Sequence, residues 1–122
     1  MRFKDYFSND FETGDNHLIQ SLRTRYYRAR NDEAKQAVKK LIIEENGQIK
    51  ADLEEHHEIF YQTPQYTATI TITNTRMSEA AIDIKVTTYR LIPRGLGIKI
   101  IGRIYKSLDS KLPFKGVGLY KE

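Results

Sequence analysis

AAIDIKVTTYRLIPRGLGIKIIGRIYKSLDSKL, residues 80–112, contains the switch of period on which the fold reading depends. Ile82, Ile84 and Val86 fall at every second position, with Asp83, Lys85 and Thr87 between them, which is the alternation of a strand with one buried face. This strand is expected to run to about Tyr89. Pro93 then ends the ladder, and Gly95 and Gly97 let the chain turn. Beyond the elbow Ile98, Ile101, Ile104, Tyr105, Leu108 and Leu112 recur at three and four residues, the stripe of an amphipathic helix. Lys99, Arg103 and Lys106 occupy another face of that helix.

Upstream, Tyr66, Ala68, Ile70 and Ile72 alternate with Thr67, Thr69, Thr71 and Thr73, the clearest strand in the chain. Asn74 to Glu79 reads as the turn that joins it to the strand at 80–89. Ile49, Ala51 and Leu53 predict a strand with those three on one face. Ile59 to Gln62 predicts another, ended by Pro64. Ala34, Ala37, Val38, Leu41 and Ile42 form a helical stripe; Asn31 is the expected N-cap, with Asp32 and Glu33 in the first turn and a stop at Asn46 and Gly47. LRTRYYRA, residues 22–29, is read as a strand. Residues 1–21, with Phe3, Tyr6, Phe7 and Phe11, are read as an aromatic arm that packs back on the body.

The expectation is therefore an N-terminal arm (1–21) and one α+β domain (22–122). Its predicted order is β-α-β-β-β-β-α: a two-layer sandwich of a four- or five-stranded antiparallel sheet with two helices on one face, similar to the TATA-box-binding-protein arrangement. The Thr-rich face of the sheet is expected to be open. At 122 residues one core fits without disulfides or structural metals.

Composition excludes several chemistries. There is no cysteine, hence no disulfide framework and no thiolate metal site, and a cytoplasmic setting is expected. No apolar run reaches the roughly 20 residues of a membrane-spanning helix, and the start lacks a signal-peptide core. No GXSXG elbow is present, and the serines at 8, 21, 78, 107 and 110 have no marked base beside them. Gly95, Gly97 and Gly102 form GXGX4G, which differs from the dinucleotide fingerprint.

Two constellations are left. The net charge of +4 divides into −3 over residues 1–84 and +7 over residues 85–122. Arg90, Arg94, Lys99, Arg103 and Lys106 around the elbow form the candidate surface for an anion or another partner. The acidic stretch Glu54, Glu55, His56, His57 and Glu58, with His17 as a distant third imidazole, is the metal-site alternative, but it lacks HEXXH spacing. No cofactor is expected. The first functional expectation is a non-enzymatic binding or interaction module; the alternatives are a carrier of a small apolar ligand between helices and sheet, and a metal-dependent enzyme.

RFKDYFSNDFETGDNH (2–17), RYYRA (25–29) and IYKSLDSKLPF (104–114) together span most of the chain. In these motifs the sequence resembles a family of small uncharacterised cytosolic proteins of Bacillus-type Gram-positive bacteria. The resemblance implies a cytosolic setting and a shared fold, and no activity or catalytic residues.

Overall fold

The computed structural model describes residues 7–119, with side chains for residues 10–90 and 95–119. Phe3 and Tyr6 of the arm, and the side chains of Phe7 and Arg94, lie outside the described residues. In chain order the elements are β1 (Phe7–Glu12), a 3-10 turn (Gln20–Leu22), β2 (Arg25–Tyr27), α1 (Asn31–Glu44), β3 (Gln48–Leu53), a second 3-10 turn (Glu54–His56), β4 (Glu58–Gln62), β5 (Tyr66–Arg76), β6 (Glu79–Pro93), α2 (Arg94–Lys111) and β7 (Phe114–Val117).

The architecture is α+β, with two helices and one antiparallel sheet, but the sheet has seven strands instead of four or five. Its order is β3-β4-β5-β6-β2-β7, with β1 also paired to β6, so the TATA-box-binding-protein order is not matched. The difference comes from the length of β6. It has fifteen residues, of which Glu79 to Thr88 pair with β5 along one edge, and the other edge is divided between two short strands. Residues 80–82 take β2 and residues 85–93 take β1. The strand expected over residues 22–29 forms only as Arg25–Tyr27, and the two strands beyond the expected five, β1 and β7, have six and four residues with too little alternation to be read from the sequence; they are specified by pairing with the edges they complete.

One face of the sheet is the core. Ile59 and Tyr61 of β4, Tyr66 to Ile72 of β5 at alternate positions, and Ile82, Ile84 and Val86 of β6 are buried there under both helices. The predicted stripes supply the cover: Ala34, Ala37, Val38, Leu41 and Ile42 from α1, and Ile101, Ile104, Tyr105 and Leu108 from α2. Thr67, Thr69 and Thr71 lie on the opposite face, half-buried, with Thr73 exposed.

Three local departures have physical causes. β6 runs through Pro93 and α2 begins at Arg94, so Gly95 and Gly97 belong to the helix and form no separate elbow. Gly97 is required by packing: a Cβ there would overlap the ring of Phe11, which β1 lays against the helix. Gly102 has nothing within 4 Å of its Cβ position and plays no such part. In β3 the register slips between Ile49 and Ala51, leaving Lys50 as the extra residue of a bulge. Ile49 therefore stands opposite Tyr61, while Ala51 stands opposite Phe60 on the other face, and the expected common face of Ile49, Ala51 and Leu53 does not form.

At α1 the cap is Arg30, whose backbone N–H donates to Glu33 Oε1 at 3.0 Å, and Asn31 is the first helical residue. The C-terminus follows expectation. Asn46 has φ 58°, its N–H bonds the Ile43 carbonyl, and the Gly47 N–H bonds the Ile42 carbonyl at 2.8 Å, closing a Schellman motif.

Candidate anion-binding groove

In α2, Leu96, Lys99, Ile100 and Arg103 follow the i, i+3, i+4, i+7 spacing and so share a helix face, adjoining the core stripe. Facing them are the end of β6, Thr88 to Arg90, and the turn between β4 and β5 at Pro64 and Gln65. Together these residues line a groove of about 700 Å³. The turn is built by its own threonine: Thr63 Oγ1 accepts the N–H groups of Gln65 (3.1 Å) and Tyr66 (3.0 Å). Tyr89 crosses from β6 and donates its hydroxyl to the Thr63 carbonyl at 2.7 Å, which fixes the turn to the strand.

Of the five basic residues singled out in the sequence, three line this groove: Arg90, Lys99 and Arg103. Lys106 is exposed and outside the lining, and the Arg94 side chain is not among those described. The three cations are electrostatically unequal. Arg103 grips Glu45, with Nη2 donating to Oε1 at 2.7 Å and Nε donating at 3.2 Å, and this pairing raises the guanidinium pKa further. Glu45 also accepts the Tyr66 hydroxyl at 2.8 Å, and Tyr66 meets the Tyr61 hydroxyl at 3.1 Å. Burial pushes the Tyr61 phenol up to about 12 and the Tyr66 phenol higher still, so both are neutral hydrogen-bonding groups at physiological pH. Arg90 and Lys99 have no carboxylate partner among the described residues. Both are exposed, as are Tyr89 (50 %) and Leu96 (47 %) beside them.

The histidine and carboxylate residues are dispersed. His17 follows β1, and its Nδ1 accepts the Ile19 N–H at 3.0 Å; His56 and His57 join β3 to β4, with β5 and β6 intervening between the two regions. Among the described residues no group of three or more His, Cys, Asp or Glu is placed to hold a metal ion. Asp52 and Glu54 converge on Lys35 at 3.0 and 3.1 Å. The contact with Asp52 raises the Lys35 pKa and holds the Asp52 carboxyl below its ordinary range. That arrangement is an ion-pair joint between α1 and the β3 end.

Ser107 Oγ lies 2.8 Å from Lys111 Nζ, a spacing compatible with a nucleophile and base. The Lys111 ammonium, however, is bound to Glu44 at 2.7 Å, and Ser107 itself donates to Glu44 at 3.2 Å. The three residues tie α2 to α1.

The sequence did not single out Pro64, Gln65, Thr88, Leu96 or Ile100 as lining. Leu96 and Ile100 carried a signal, because they share the helix face of Lys99 and Arg103 beside the predicted stripe; Leu96 is exposed and Ile100 is half-buried against the edge of the core. The turn residues carried none, since their approach to α2 is set by the sheet. No protein-family model, curated protein or solved structure matches the chain. Among the described residues no helix is long and apolar enough to cross a membrane.

Proposed function

We propose that this protein is a non-enzymatic binding module that takes an anionic ligand in the groove between α2, the end of β6 and the β4–β5 turn. The observation that carries this reading is that Arg90 and Lys99 line one concave site and neither has a carboxylate partner among the described residues. Within the groove Arg103 is engaged by Glu45, and outside it Arg25 is engaged by Asp109, Lys35 by Asp52 and Lys111 by Glu44; Arg28, Lys40, Lys85 and Lys106 also show no ion pair among the described residues, but none of them lines this groove. Two uncompensated charges on the walls of a groove focus potential into it and attract counter-charge. A cytosolic setting is part of the same proposal, supported by the cysteine-free sequence.

The test is a backbone amide titration with inorganic phosphate and with benzoate at low ionic strength. Shifts confined to residues 88–90 and 96–103, lost in the Arg90→Glu/Lys99→Glu variant and weakened by added salt, are the expected result. Absence of such localised shifts with both anions would refute the proposal.

A further inference from the structure

We propose that the natural ligand is a single-chain anionic amphiphile, a carboxylate or phosphate head joined to an alkyl or aromatic body, bound as a free molecule. This rests on the reading of Arg90 and Lys99 as an anion site and adds the chemistry of what the anion is attached to. The groove presents two kinds of surface side by side. Leu96 and Ile100 lie one turn apart on α2 with Lys99 between them in sequence, and across from them stands Tyr89. The Tyr89 hydroxyl is committed to the Thr63 carbonyl, so what the half-exposed residue offers the groove is chiefly its ring.

Each simpler ligand leaves part of this surface unmatched. A hydrated inorganic anion, or a phosphodiester backbone, would meet the two cations and leave Leu96, the Tyr89 ring and the uncovered part of Ile100 wet. A neutral apolar molecule would cover those three and strip water from Arg90 and Lys99 without supplying a counter-charge, a costly transfer. An amphiphile satisfies both parts. Arg103 adds little net charge, because Glu45 neutralises it, so the described side chains of the groove offer roughly two positive charges, enough for one carboxylate or one phosphate monoester. A concave site of about 700 Å³ is of the size that encloses a small molecule, whereas a membrane calls for a protruding apolar surface.

The experiment compares acetate, hexanoate, decanoate and decyl phosphate below their micellar concentrations, with decyltrimethylammonium as the charge-reversed control, read by amide shifts at residues 88–90 and 96–103. Affinity is expected to rise along the carboxylate series by about fourfold for each methylene buried. The ammonium compound is expected not to compete. Leu96→Asn should flatten the chain-length dependence while retaining acetate, and Arg90→Glu with Lys99→Glu should weaken every anion at an unchanged dependence. The amide spectrum of each variant reports whether it is folded. If acetate and phosphate bind at Arg90 and Lys99 but chain length has no effect, the amphiphile is refuted and the anion site stands. If no anion binds, both fall. Equal binding of decyltrimethylammonium overturns the charge argument. Binding to phosphatidylglycerol vesicles without binding of monomeric decanoate overturns the free ligand in favour of a lipid surface.

Discussion

Gly97 and Gly102 are five residues apart on one helix and have opposite reasons to exist. Gly97 gives room to the buried ring of Phe11, and nothing occupies the Cβ position of Gly102. Gly97→Ala forces the ring or the helix to move and is expected to destabilise the fold by about 1–3 kcal/mol, the usual range for overpacking. Gly102→Ala removes backbone entropy from the unfolded chain at no steric cost and should stabilise it by about 0.5–1 kcal/mol. Urea unfolding of the two variants reads both signs. Asp83 is the other instructive residue. Its Oδ1 accepts the hydroxyls of Thr13 (2.7 Å) and Thr24 (2.6 Å), and no cation among the described residues pairs with it. Burial, and after it the charges of Asp15 and Glu12, hold its pKa above the ordinary range against the pull of the two threonines. A carboxyl whose folded pKa exceeds its unfolded value contributes stability below the unfolded pKa and loses that contribution as pH rises through the folded one. Asp83→Asn keeps the acceptor and removes the charge. It is therefore expected to be more stable than the wild type at pH 7, with the difference shrinking as pH falls toward about 4. A wild-type advantage at pH 7 would mean that the hydrogen bonds to the ionised group outweigh its burial.

The helices and the two long strands are legible in the sequence because each has enough residues for its period to show. The stripes of α1 and α2 are the ones that reach the core, and the alternation of β5 and β6 assigns their faces correctly. The α1 C-terminus is legible from chemistry alone, since Asn and Gly are the residues that tolerate the left-handed turn. Asn46 bears that conformation with a Cβ, so Asn46→Gly should leave stability unchanged or raise it, and Asn46→Ala should cost about 1 kcal/mol. Thermal unfolding of the pair measures the difference, and equal losses from both would mean that the Asn side chain itself is holding the turn. The bulge at Lys50 was not legible. A single extra residue changes the facing of everything after it, yet it leaves the local composition of a strand intact. The start of α2 was misread for a related reason: Pro93 and two glycines make a turn by propensity, and the packing of Phe11 on Gly97 turns that stretch into helix.

At the scale of the whole molecule, the motifs that first drew notice turn out to meet one another. Arg25 and Tyr27 from RYYRA both reach Asp109 from IYKSLDSKLPF, at 2.7 and 2.8 Å, and the Arg25 guanidinium lies 4.1 Å from the Phe114 ring centroid. Thr13 and Asp15 from the N-terminal motif hold Asp83 and the Tyr26 hydroxyl. These residues join distant segments, which explains why their chemistry suggested no reaction when read in sequence order. The groove was legible in part for the same reason: its cations cluster in sequence, while its apolar walls are assembled by topology. The joints also imply that the N-terminal strand is structural. β1 covers the second edge of β6 from residue 85 to 93, and Phe11 completes the core beneath α2. Removing residues 1–12 would leave those β6 N–H and C=O groups unpaired on a long edge and open an apolar gap at Gly97. The truncated chain is expected to lose at least about 3 kcal/mol in urea unfolding and to self-associate in light scattering, since an unpaired edge seeks another strand. Phe11→Ala in the full chain separates the two effects. It should cost about 3–5 kcal/mol through the lost ring while β1 still caps the edge, and so should not self-associate more than the wild type when both are fully folded. A truncated chain with the stability and association state of the full one would show that β6 does not need β1.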